Sequence, residues 1–300
     1  MKIGTVIVTY NRIGLLKQVL KKFESMIRGP DCIIIVNNAS TDGTTEFLNE
    51  WSVKTSLKNV EIDNVKSNLG GSGGFYKGLE RAVKRDVDWI WVSDDDAFPD
   101  TDVFEKFEML EHKLSLNNVG AYCTTVINNG EIDYAHRRKL SGALIKNETQ
   151  SCQADYSREY FKINLFSYVG TILNKDALLD VGLTEKDYFI WYDDTEHSMR
   201  LDKKYNIYCL PDLKVVHDVP QNDTIVSWKM FYGVRNKLLM YKKHYKATYI
   251  LQLLNVASRN FLGLILFKNI KIRKLHLKAL IACIRNTQGI DESFKPGEKI

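Results

Sequence analysis

The sequence lacks the features that mark disulfide-bonded, zinc-binding and secreted proteins. Its five cysteines, in 300 residues, are odd in number and widely spaced, and no C-x-x-C pair occurs. This spacing argues against a disulfide framework and a zinc site, and it favours a reducing compartment. The apolar run after Met1 is too short for a secretory signal and is typical of a first strand. A chain of this length, without repeats or low-complexity linkers, fits one large domain, alone or with an appendage.

Acidic residues are missing from one long segment of the chain. From Thr224 to Ile290 there are 13 Lys or Arg and no Asp or Glu, although the formal net charge of the whole chain is only +5. Such a segment is typical of a surface that faces nucleic acid or an anionic membrane. Its apolar stretches, 249–254 and 261–267, favour the membrane but are interrupted before about 20 residues are reached. We expect a helix lying in the membrane plane; the alternative is a basic helical subdomain packed on the body or in an oligomer interface.

Strand and helix signals alternate along the first hundred residues. Strands are predicted at 3–9, 32–36, 60–65 and 89–92, and helices at 15–26, 44–51 and 75–84. This order indicates an α/β fold with a parallel, doubly wound sheet and right-handed crossovers. In such sheets ligands bind beyond the carboxyl ends of the strands.

Three consecutive aspartates, Asp94, Asp95 and Asp96, follow the apolar run at 89–93. Burying several like charges together is costly unless a cation or strong hydrogen-bond donors compensate them. A divalent metal is the simplest compensation, and Mg²⁺ or Mn²⁺ in such a site often binds the phosphates of a substrate as well. The alternative is an acidic turn in which Asp100 or Asp102 caps the next helix.

Polar loops also follow the other three predicted strands, at 9–12, 37–43 and 68–74. The last contains four glycines before a helix, which would let backbone N–H groups approach a diphosphate closely. It matches neither G-x-G-x-x-G nor a P-loop, so a dinucleotide oxidoreductase and a P-loop kinase are disfavoured. Asp42 is suited to binding the N–H of a nucleobase or to capping a helix.

The motifs T-Y-N-R, N-N-A-S-T-D-G-T, N-L-G-G-S-G-G-F and D-D-D, in this order, resemble those of glycosyltransferase family 2. The glycine-rich segment, together with F-I-W-Y-D-D-T-E at 189–196 and V-V-H at 215–217, is most similar to the bacterial galactofuranosyltransferases. The resemblance implies the Rossmann-like GT-A fold at 1–223, with a nucleotide-sugar-binding half at 1–100 and an acceptor and catalytic half at 101–223. A basic amphipathic helical region would occupy 224–300.

The resemblance also implies roles for individual residues. The donor would be bound by Thr9, Arg12, Asn38, Asp42, Asn68, Gly70, Gly71 and Asp95. The divalent metal, Mn²⁺ or Mg²⁺, would be bound by Asp94, Asp96 and His217. Asp194 would act as the base that takes a proton from the acceptor hydroxyl, and Trp191, Asp193 and Tyr168 would contact the acceptor. Asp193 or Asp194 would alternatively cap the helix that follows.

We therefore expect a metal-dependent inverting transferase that moves galactofuranose from UDP-galactofuranose to a glycan or lipid-linked glycan. It would act in the cytoplasm as a peripheral protein on the inner face of the cell membrane, without binding nucleic acid. A rhamnosyl-, glucosyl- or galactosyltransferase of the same family is one alternative, and a non-catalytic sugar-nucleotide-binding assembly partner is another. A homo-oligomer is left open. Arg235, in Y-x-x-R-N, is expected to reach an acceptor phosphate or to extend over the surface of the body.

Overall fold

The computed structural model describes residues 1–218, 227–266 and 269–297. The strands are β1 (Ile3–Thr9), β2 (Cys32–Asn37), β3 (Val60–Asn64), β4 (Trp89–Asp94), β5 (Phe98–Pro99), β6 (Val119–Asn128), β7 (Glu131–Ile132), β8 (Arg137–Ser141), β9 (Asn147–Gln150), β10 (Phe161–Ile163), β11 (Leu165–Phe166), β12 (Thr171–Asn174) and β13 (Asn206–Val216). The helices are α1 (Ile13–Glu24), α2 (Thr44–Lys54), α3 (Gly70–Ala82), α4 (Val103–Leu114), α5 (Gln153–Tyr156), α6 (Lys175–Val181), α7 (Asp193–Asp202), α8 (Lys229–His244), α9 (Lys246–Ile265) and α10 (Ile270–Ile284).

The described residues form a large mixed sheet with the strand order β10-β13-β6-β12-β4-β1-β2-β3. The strands β4, β1, β2 and β3 are mutually parallel, which confirms the predicted α/β class. The short strand β12 runs antiparallel between β4 and β6. A second sheet, with the order β11-β8-β9, lies outside the predicted elements.

The sheet is covered on both faces, as parallel strands require. On one face of β1, Ile3 and Ile7 belong to a core with α1, α2 and α4. On the other face, Val6 and Val8 belong to a core with α3. This double burial explains why β1 is a continuous apolar run, and it fixes the carboxyl ends of β1, β2 and β4 at one edge.

Helix α3 begins at Gly70, five residues before the predicted start. A Cβ atom at Gly74 would lie 2.5 Å from Val8 Cγ1, and one at Gly78 would lie 2.2 Å from Val6 Cγ1. These glycines therefore lie within the helix because it packs directly on β1. Tertiary packing outweighs the poor helix propensity of glycine here.

Helices α8, α9 and α10 pack against one another, so the predicted C-terminal helical region is present. The predicted domain boundary at 223/224 and Phe267 lie outside the described residues. No helix within the described ranges is long and apolar enough to span a membrane.

Arg235 neither reaches toward an acceptor phosphate nor extends over the surface of the body, because its side chain is buried. Its guanidinium donates to the carbonyls of Gly289 at 2.7 Å and Tyr188 at 3.1 Å, and to Oδ1 of Asn236 at 2.9 Å. Backbone acceptors satisfy the buried donors, so Arg235 ties α8 to the loop before α7 and does not reach a ligand.

Candidate active site

The acidic triplet lies at the carboxyl end of β4, and pairing between β5 and β13 brings His217 to it. Ligand atoms of Asp94, Asp96 and His217 all lie within 4.8 Å of one another, and Nε2 of His217 is 3.1 Å from Oδ1 of Asp96. The backbone N–H of His217 donates to the carbonyl of Ile127 at 2.8 Å, which holds the main chain at this residue beside β6. The structure thus brings together the three predicted metal ligands from distant parts of the chain.

The pKa values of Asp94 and Asp95 indicate that the charges of the triplet are only partly compensated. Burial and the charge of Asp96 raise the pKa of Asp94 to about 7. Burial raises the pKa of Asp95 to about 6, although a hydrogen bond from Thr9 opposes this. Burial also acts against ionisation of Asp96, but the bond to His217 and the charge of Arg12 outweigh it and lower the pKa. Two carboxylates and an imidazole at this separation fit Mn²⁺ or Mg²⁺, which would supply the missing positive charge.

Two of the predicted donor-binding residues contact the triplet directly. The Thr9 hydroxyl donates to Asp95 at 2.6 Å and is buried. The guanidinium of Arg12 lies 3.4 Å from Asp95, pairs more closely with Asp96, and is about half exposed. Thr9 therefore orients Asp95, whereas Arg12 partly neutralises the triplet at the entrance of the crevice.

The glycine turn before α3 is shaped by two of the predicted asparagines. Asn38 donates to the carbonyl of Gly70 and accepts from the N–H of Leu69, both at 2.8 Å. Asn68 accepts from the N–H of Gly70 at 2.8 Å. These bonds hold the turn in which Gly70 has φ +72°, a conformation that favours glycine. Asn38 and Asn68 thus position the turn, and a Cβ at Gly71 would meet only open space.

Asp42 lies directly before Gly43, which is the N-cap residue of α2, so it is not itself the N-cap of that helix. It accepts from the N–H of Ile13 at 2.9 Å and from the hydroxyl of Thr44 at 2.5 Å. Burial opposes ionisation of Asp42, but these bonds prevail and lower its pKa. Its carboxylate joins the starts of α1 and α2 on the side of the crevice formed by the β1 and β2 loops.

The predicted base, Asp194, lies in the first turn of α7 next to buried Asp193. Oδ1 of Asp194 accepts from the N–H of Thr195 at 2.5 Å and from its hydroxyl at 3.0 Å. Burial and the charge of Asp194 raise the pKa of Asp193 well above its usual range. Burial also raises the pKa of Asp194, but Arg138 and Thr195 partly offset this. Arg138 and Thr195 thus favour the ionised form of Asp194, which is the form that a general base requires.

The two predicted acceptor aromatics differ in accessibility. Trp191 is 45% exposed, and its ring lies against α8 so closely that a Cβ at Gly233 would be 2.9 Å from it. Tyr168 is only 2% exposed, and its hydroxyl lies 2.6 Å from Nδ1 of His197. Its ring packs on Phe75 with the centroids 4.8 Å apart. Trp191 offers an apolar face to a ligand, whereas Tyr168 is part of the core.

Two side chains of the unpredicted β11-β8-β9 region border the site. Arg138 donates to the hydroxyl of Thr195 at 2.7 Å, so it supports the group that holds Asp194. Nδ1 of His136 lies 2.6 Å from the Ser167 hydroxyl, and the rings of His136 and His217 are 5.6 Å apart and nearly perpendicular. Sequence reasoning missed both residues because Arg138 lies in a short strand and His136 in a single 3-10 turn before it, and neither element has a periodic signal.

Lys229, the first residue of α8, was also missed. Burial and the charge of Arg12 lower the pKa of its ammonium, whereas Asp94 and Asp96 oppose this shift. Lys229 therefore lies within electrostatic range of the triplet. The sequence assigned every basic residue after position 223 to a membrane-facing segment, so nothing distinguished Lys229 from the others.

Behind the site, Glu196 anchors α7 to α8. Its buried carboxylate accepts from Arg200 Nε at 2.9 Å and from His244 Nε2 at 2.8 Å, and it lies 2.9 Å from Lys243 Nζ. Burial opposes its ionisation, but the bond from His244 and the charges of Arg200 and Lys243 outweigh burial and lower its pKa to about 2. This network fixes the helix that carries Asp194.

Comparison with known proteins agrees with this geometry. Residues 5–182 match the family model described as glycosyl transferase family 2. The galactofuranosyltransferase GlfT1 of Mycolicibacterium smegmatis is 27% identical over 65% of this chain, but the match spans less than two thirds, 64%, of that relative. The dTDP-rhamnosyl transferase RfbF of Shigella flexneri is 22% identical over 81% of each chain.

The crystal structure of GalNAc-T7 with UDP, GalNAc and Mn²⁺ superposes with a TM-score of 0.64 at 14% identity. The match covers 96% of this chain and 56% of that one. This likeness, with the sheet order described above, confirms the predicted GT-A fold. Because the family model matches more than half of the 300 residues, this chain belongs to glycosyl transferase family 2.

Proposed function

We propose that this protein is a metal-dependent inverting glycosyltransferase that moves galactofuranose from UDP-galactofuranose to a hydroxyl group of a glycan acceptor. The observation that carries the proposal is the cluster of Asp94, Asp96 and His217 at the carboxyl end of β4. The charge of Asp94 contributes to the raised pKa of Asp193, so the acidic groups of β4 and α7 act on each other.

The chemistry follows from these positions. A divalent cation bound by Asp94, Asp96 and His217 would neutralise negative charge on the departing UDP. Asp194 takes the proton of the acceptor hydroxyl as the hydroxyl oxygen attacks the anomeric carbon. The bond from that carbon to the diphosphate oxygen breaks, and its electron pair leaves with UDP. Attack on the face opposite the leaving group inverts the anomeric centre, through a transition state with oxocarbenium character.

The chain also supplies charge and orientation around these steps. Arg12 and Lys229 place two cations at the edge of the crevice where the donor diphosphate would bind. Thr195 and Arg138 hold the carboxylate of Asp194 in one orientation. The exposed ring of Trp191 provides an apolar surface for a sugar ring of the acceptor.

The choice of donor rests on the motifs shared with galactofuranosyltransferases and on the relative of that activity. The relative named as a dTDP-rhamnosyl transferase supports a rhamnosyltransferase as the second candidate. The complete set of proposed metal ligands (Asp94, Asp96 and His217) and the proposed base (Asp194) argues against a non-catalytic assembly partner.

A donor screen tests the proposal. Purified protein with Mn²⁺ is given UDP-galactofuranose, UDP-galactopyranose, UDP-glucose or dTDP-rhamnose, together with a set of lipid-linked and free glycan acceptors. Mass spectrometry should detect transfer from UDP-galactofuranose, and NMR should show the inverted anomeric configuration in the product. Transfer from dTDP-rhamnose and none from UDP-galactofuranose would instead establish the second candidate.

For the acceptor we propose a lipid-linked glycan at the inner face of the cell membrane. The support is the basic segment after position 223, which carries no acidic residue before Asp291. Positive charge of this kind attracts a protein to anionic lipids, where such an acceptor would be anchored.

A further inference from the structure

Helix α9 has one face of large apolar side chains that are exposed to solvent. The residues of this apolar face are 46–65% exposed: Ile250, Leu251, Leu254, Phe261, Leu262, Ile265 and Leu266. Six of them lie in α9 and Leu266 directly follows it. At about 100° per residue, all seven fall within roughly 160° on one side of the helix. Exposed apolar surfaces of this extent on a folded domain mark interaction sites.

The opposite side of α9 is already used by the fold. Asn260 and Gly263 are buried, and Oδ1 of Asn260 accepts from Arg273 of α10 at 3.4 Å and lies 3.2 Å from Nδ1 of His276. A Cβ at Gly263 would lie 2.4 Å from Nε of Arg273. Because α9 and α10 are closely packed there, the apolar face points outward, and no other part of the described chain covers it.

A second element extends the apolar face. The tip of the β8-β9 hairpin exposes Leu144 (75%) and Ile145 (42%). The N–H of Lys146 donates to the hydroxyl of Thr248 at 2.8 Å, which joins the tip to the first turn of α9. Leu251 follows Thr248 by three residues, so the two apolar segments lie side by side on the helix surface.

Basic residues accompany this surface and acidic residues do not. Arg259 of α9 and Lys271, Lys274 and Lys278 of α10 are exposed. No Asp or Glu occurs between Thr224 and Ile290. Two copies of such a surface would bring like charges together, and a nucleic acid would leave the aliphatic side chains without an apolar partner. An anionic bilayer complements both properties, because its head groups are negative and its acyl region is apolar.

We propose that the apolar face of α9 and the tip of the β8-β9 hairpin insert into the head-group region of an anionic bilayer. Helix α9 then lies parallel to the membrane plane, and the positive charges of α9 and α10 attract the anionic head groups. The inference deepens the proposed function, on which it rests for the idea of a lipid-linked acceptor. It also explains why a helix too polar to span a membrane has large side chains in solvent.

The test uses the full chain and vesicles in a sedimentation assay. Wild-type protein should bind vesicles of phosphatidylglycerol and phosphatidylcholine, should bind pure phosphatidylcholine at least about tenfold more weakly, and should lose affinity as salt rises. Leu254→Asp with Phe261→Asp should lower the affinity for anionic vesicles at least about tenfold. The matched control is Val53→Asp with Met109→Asp, which changes equally exposed apolar residues of α2 and α4 and should bind as wild type.

Charge is tested separately from the apolar contact. Arg259→Glu with Lys274→Glu should weaken binding to anionic vesicles and leave the weak binding to neutral vesicles unchanged. The control is Lys21→Glu with Lys22→Glu, an exposed basic pair on α1. Circular dichroism and the thermal unfolding midpoint show that each variant is folded before it is compared.

Three outcomes would overturn the proposal: wild type that binds neither kind of vesicle, Leu254 and Phe261 variants that bind like wild type, or equal binding to anionic and neutral lipid. A dimer in light scattering that these variants abolish, without vesicle binding, would assign the surface to self-association. Salt-sensitive binding to duplex DNA in place of vesicles would assign it to nucleic acid. Transfer to a water-soluble acceptor without vesicles should be unaffected by all these variants, so its failure reports on the proposed function and not on the surface.

Discussion

Buried carboxylates occur in two regions of this molecule and have opposite properties. Behind the site, Glu196 is surrounded by Arg200, Lys243 and His244, and its pKa is lowered to about 2. In the crevice, Asp94 lies among other carboxylates and its pKa is raised to about 7 by burial and by Asp96. The protein itself supplies the counter-charge for the first group, whereas the second group has an excess of negative charge.

The difference separates a structural acid from a functional one. A fully compensated carboxylate stabilises the fold, because breaking its contacts leaves unpaired buried charges. A partly compensated carboxylate costs stability until a ligand brings the missing charge, and such groups cluster at functional sites. Asp94 and Asp194 are therefore expected to control activity, and Glu196 is expected to control stability.

The sharpest test of this comparison is Asp194→Asn. Loss of the base should lower kcat about a thousandfold, while the free energy of unfolding should be unchanged or slightly higher because a buried charge is removed. Transfer kinetics and urea unfolding measure the two quantities. The control Asp202→Asn lies on the same helix, where the side chain accepts from Asn164, and should retain activity. Near wild-type transfer by a folded Asp194→Asn variant would show that another group is the base.

The reverse result is expected for Glu196→Gln. An amide cannot compensate Arg200, Lys243 and His244, so the free energy of unfolding should fall by about 3 kcal/mol. Urea unfolding measures this loss, and Glu80→Gln provides the control because Glu80 pairs with Lys77 on the surface of α3. If both substitutions lowered the free energy of unfolding by the same small amount, Glu196 would not be a structural acid.

Glu196 should also make the free energy of unfolding of the wild type depend on pH in the acidic range. Because the pKa of Glu196 is lower in the folded protein, the unfolded chain binds more protons between about pH 4.5 and about pH 2. The contribution of Glu196 is therefore complete above this range and is lost as the pH falls through it. The difference in unfolding free energy between wild type and Glu196→Gln should shrink over this window. A difference that stays constant would contradict the lowered pKa.

A smaller effect is expected at Arg138, which acts on the base without being one. Its charge partly offsets the burial that raises the pKa of Asp194, so Arg138→Met should raise that pKa further. Because the base must be ionised, the acidic limb of the profile of kcat/KM against pH should move to higher pH. On that limb, kcat/KM should fall about tenfold for each unit by which the pKa of Asp194 rises. Arg138→Lys, which keeps the charge, should restore much of the profile. A uniform loss at every pH would indicate a purely structural role.

The smallest effect is expected at Lys229, at the edge of the crevice. Lys229→Met should raise the KM for the nucleotide sugar about fivefold and change kcat little, as expected for one partly exposed cation near a diphosphate. Steady-state kinetics with the donor varied will measure it, and Lys246→Met at the start of α9 is the control. An unchanged KM would place Lys229 outside the donor site.

The first hundred residues were predictable because two of their strands, β1 and β2, are buried on both faces. Residues 3–9 and 32–36 are nearly continuous apolar runs, and their polar ends indicate the edge where a ligand binds. The acidic triplet indicated a metal site from the sequence alone. His217 was added only by the resemblance, since nothing local to it shows that pairing of β5 with β13 brings it to Asp96. The individual roles of these residues in metal binding and donor binding stay predictions.

The remaining features depend on tertiary contacts that leave no periodic signal. A helix at Gly74 can be explained only by its close contact with Val8 of β1. Tyr168 is an aromatic residue of the kind that binds sugar rings, but its hydroxyl bonds to buried His197 and the side chain belongs to the core. The sequence alone suggests that Arg235 is exposed, whereas in the structure its guanidinium is buried and bonds to backbone carbonyls. In each case a distant partner decides the outcome.

The most direct test of the central claim is a crystal structure of the protein with UDP and Mn²⁺. We predict an anomalous manganese peak bonded to Nε2 of His217 and to carboxylate oxygens of Asp94 or Asp96 at about 2.0 to 2.3 Å, and also to the diphosphate. A peak away from His217, or UDP bound in the crevice with no metal beside the triplet, would contradict the account.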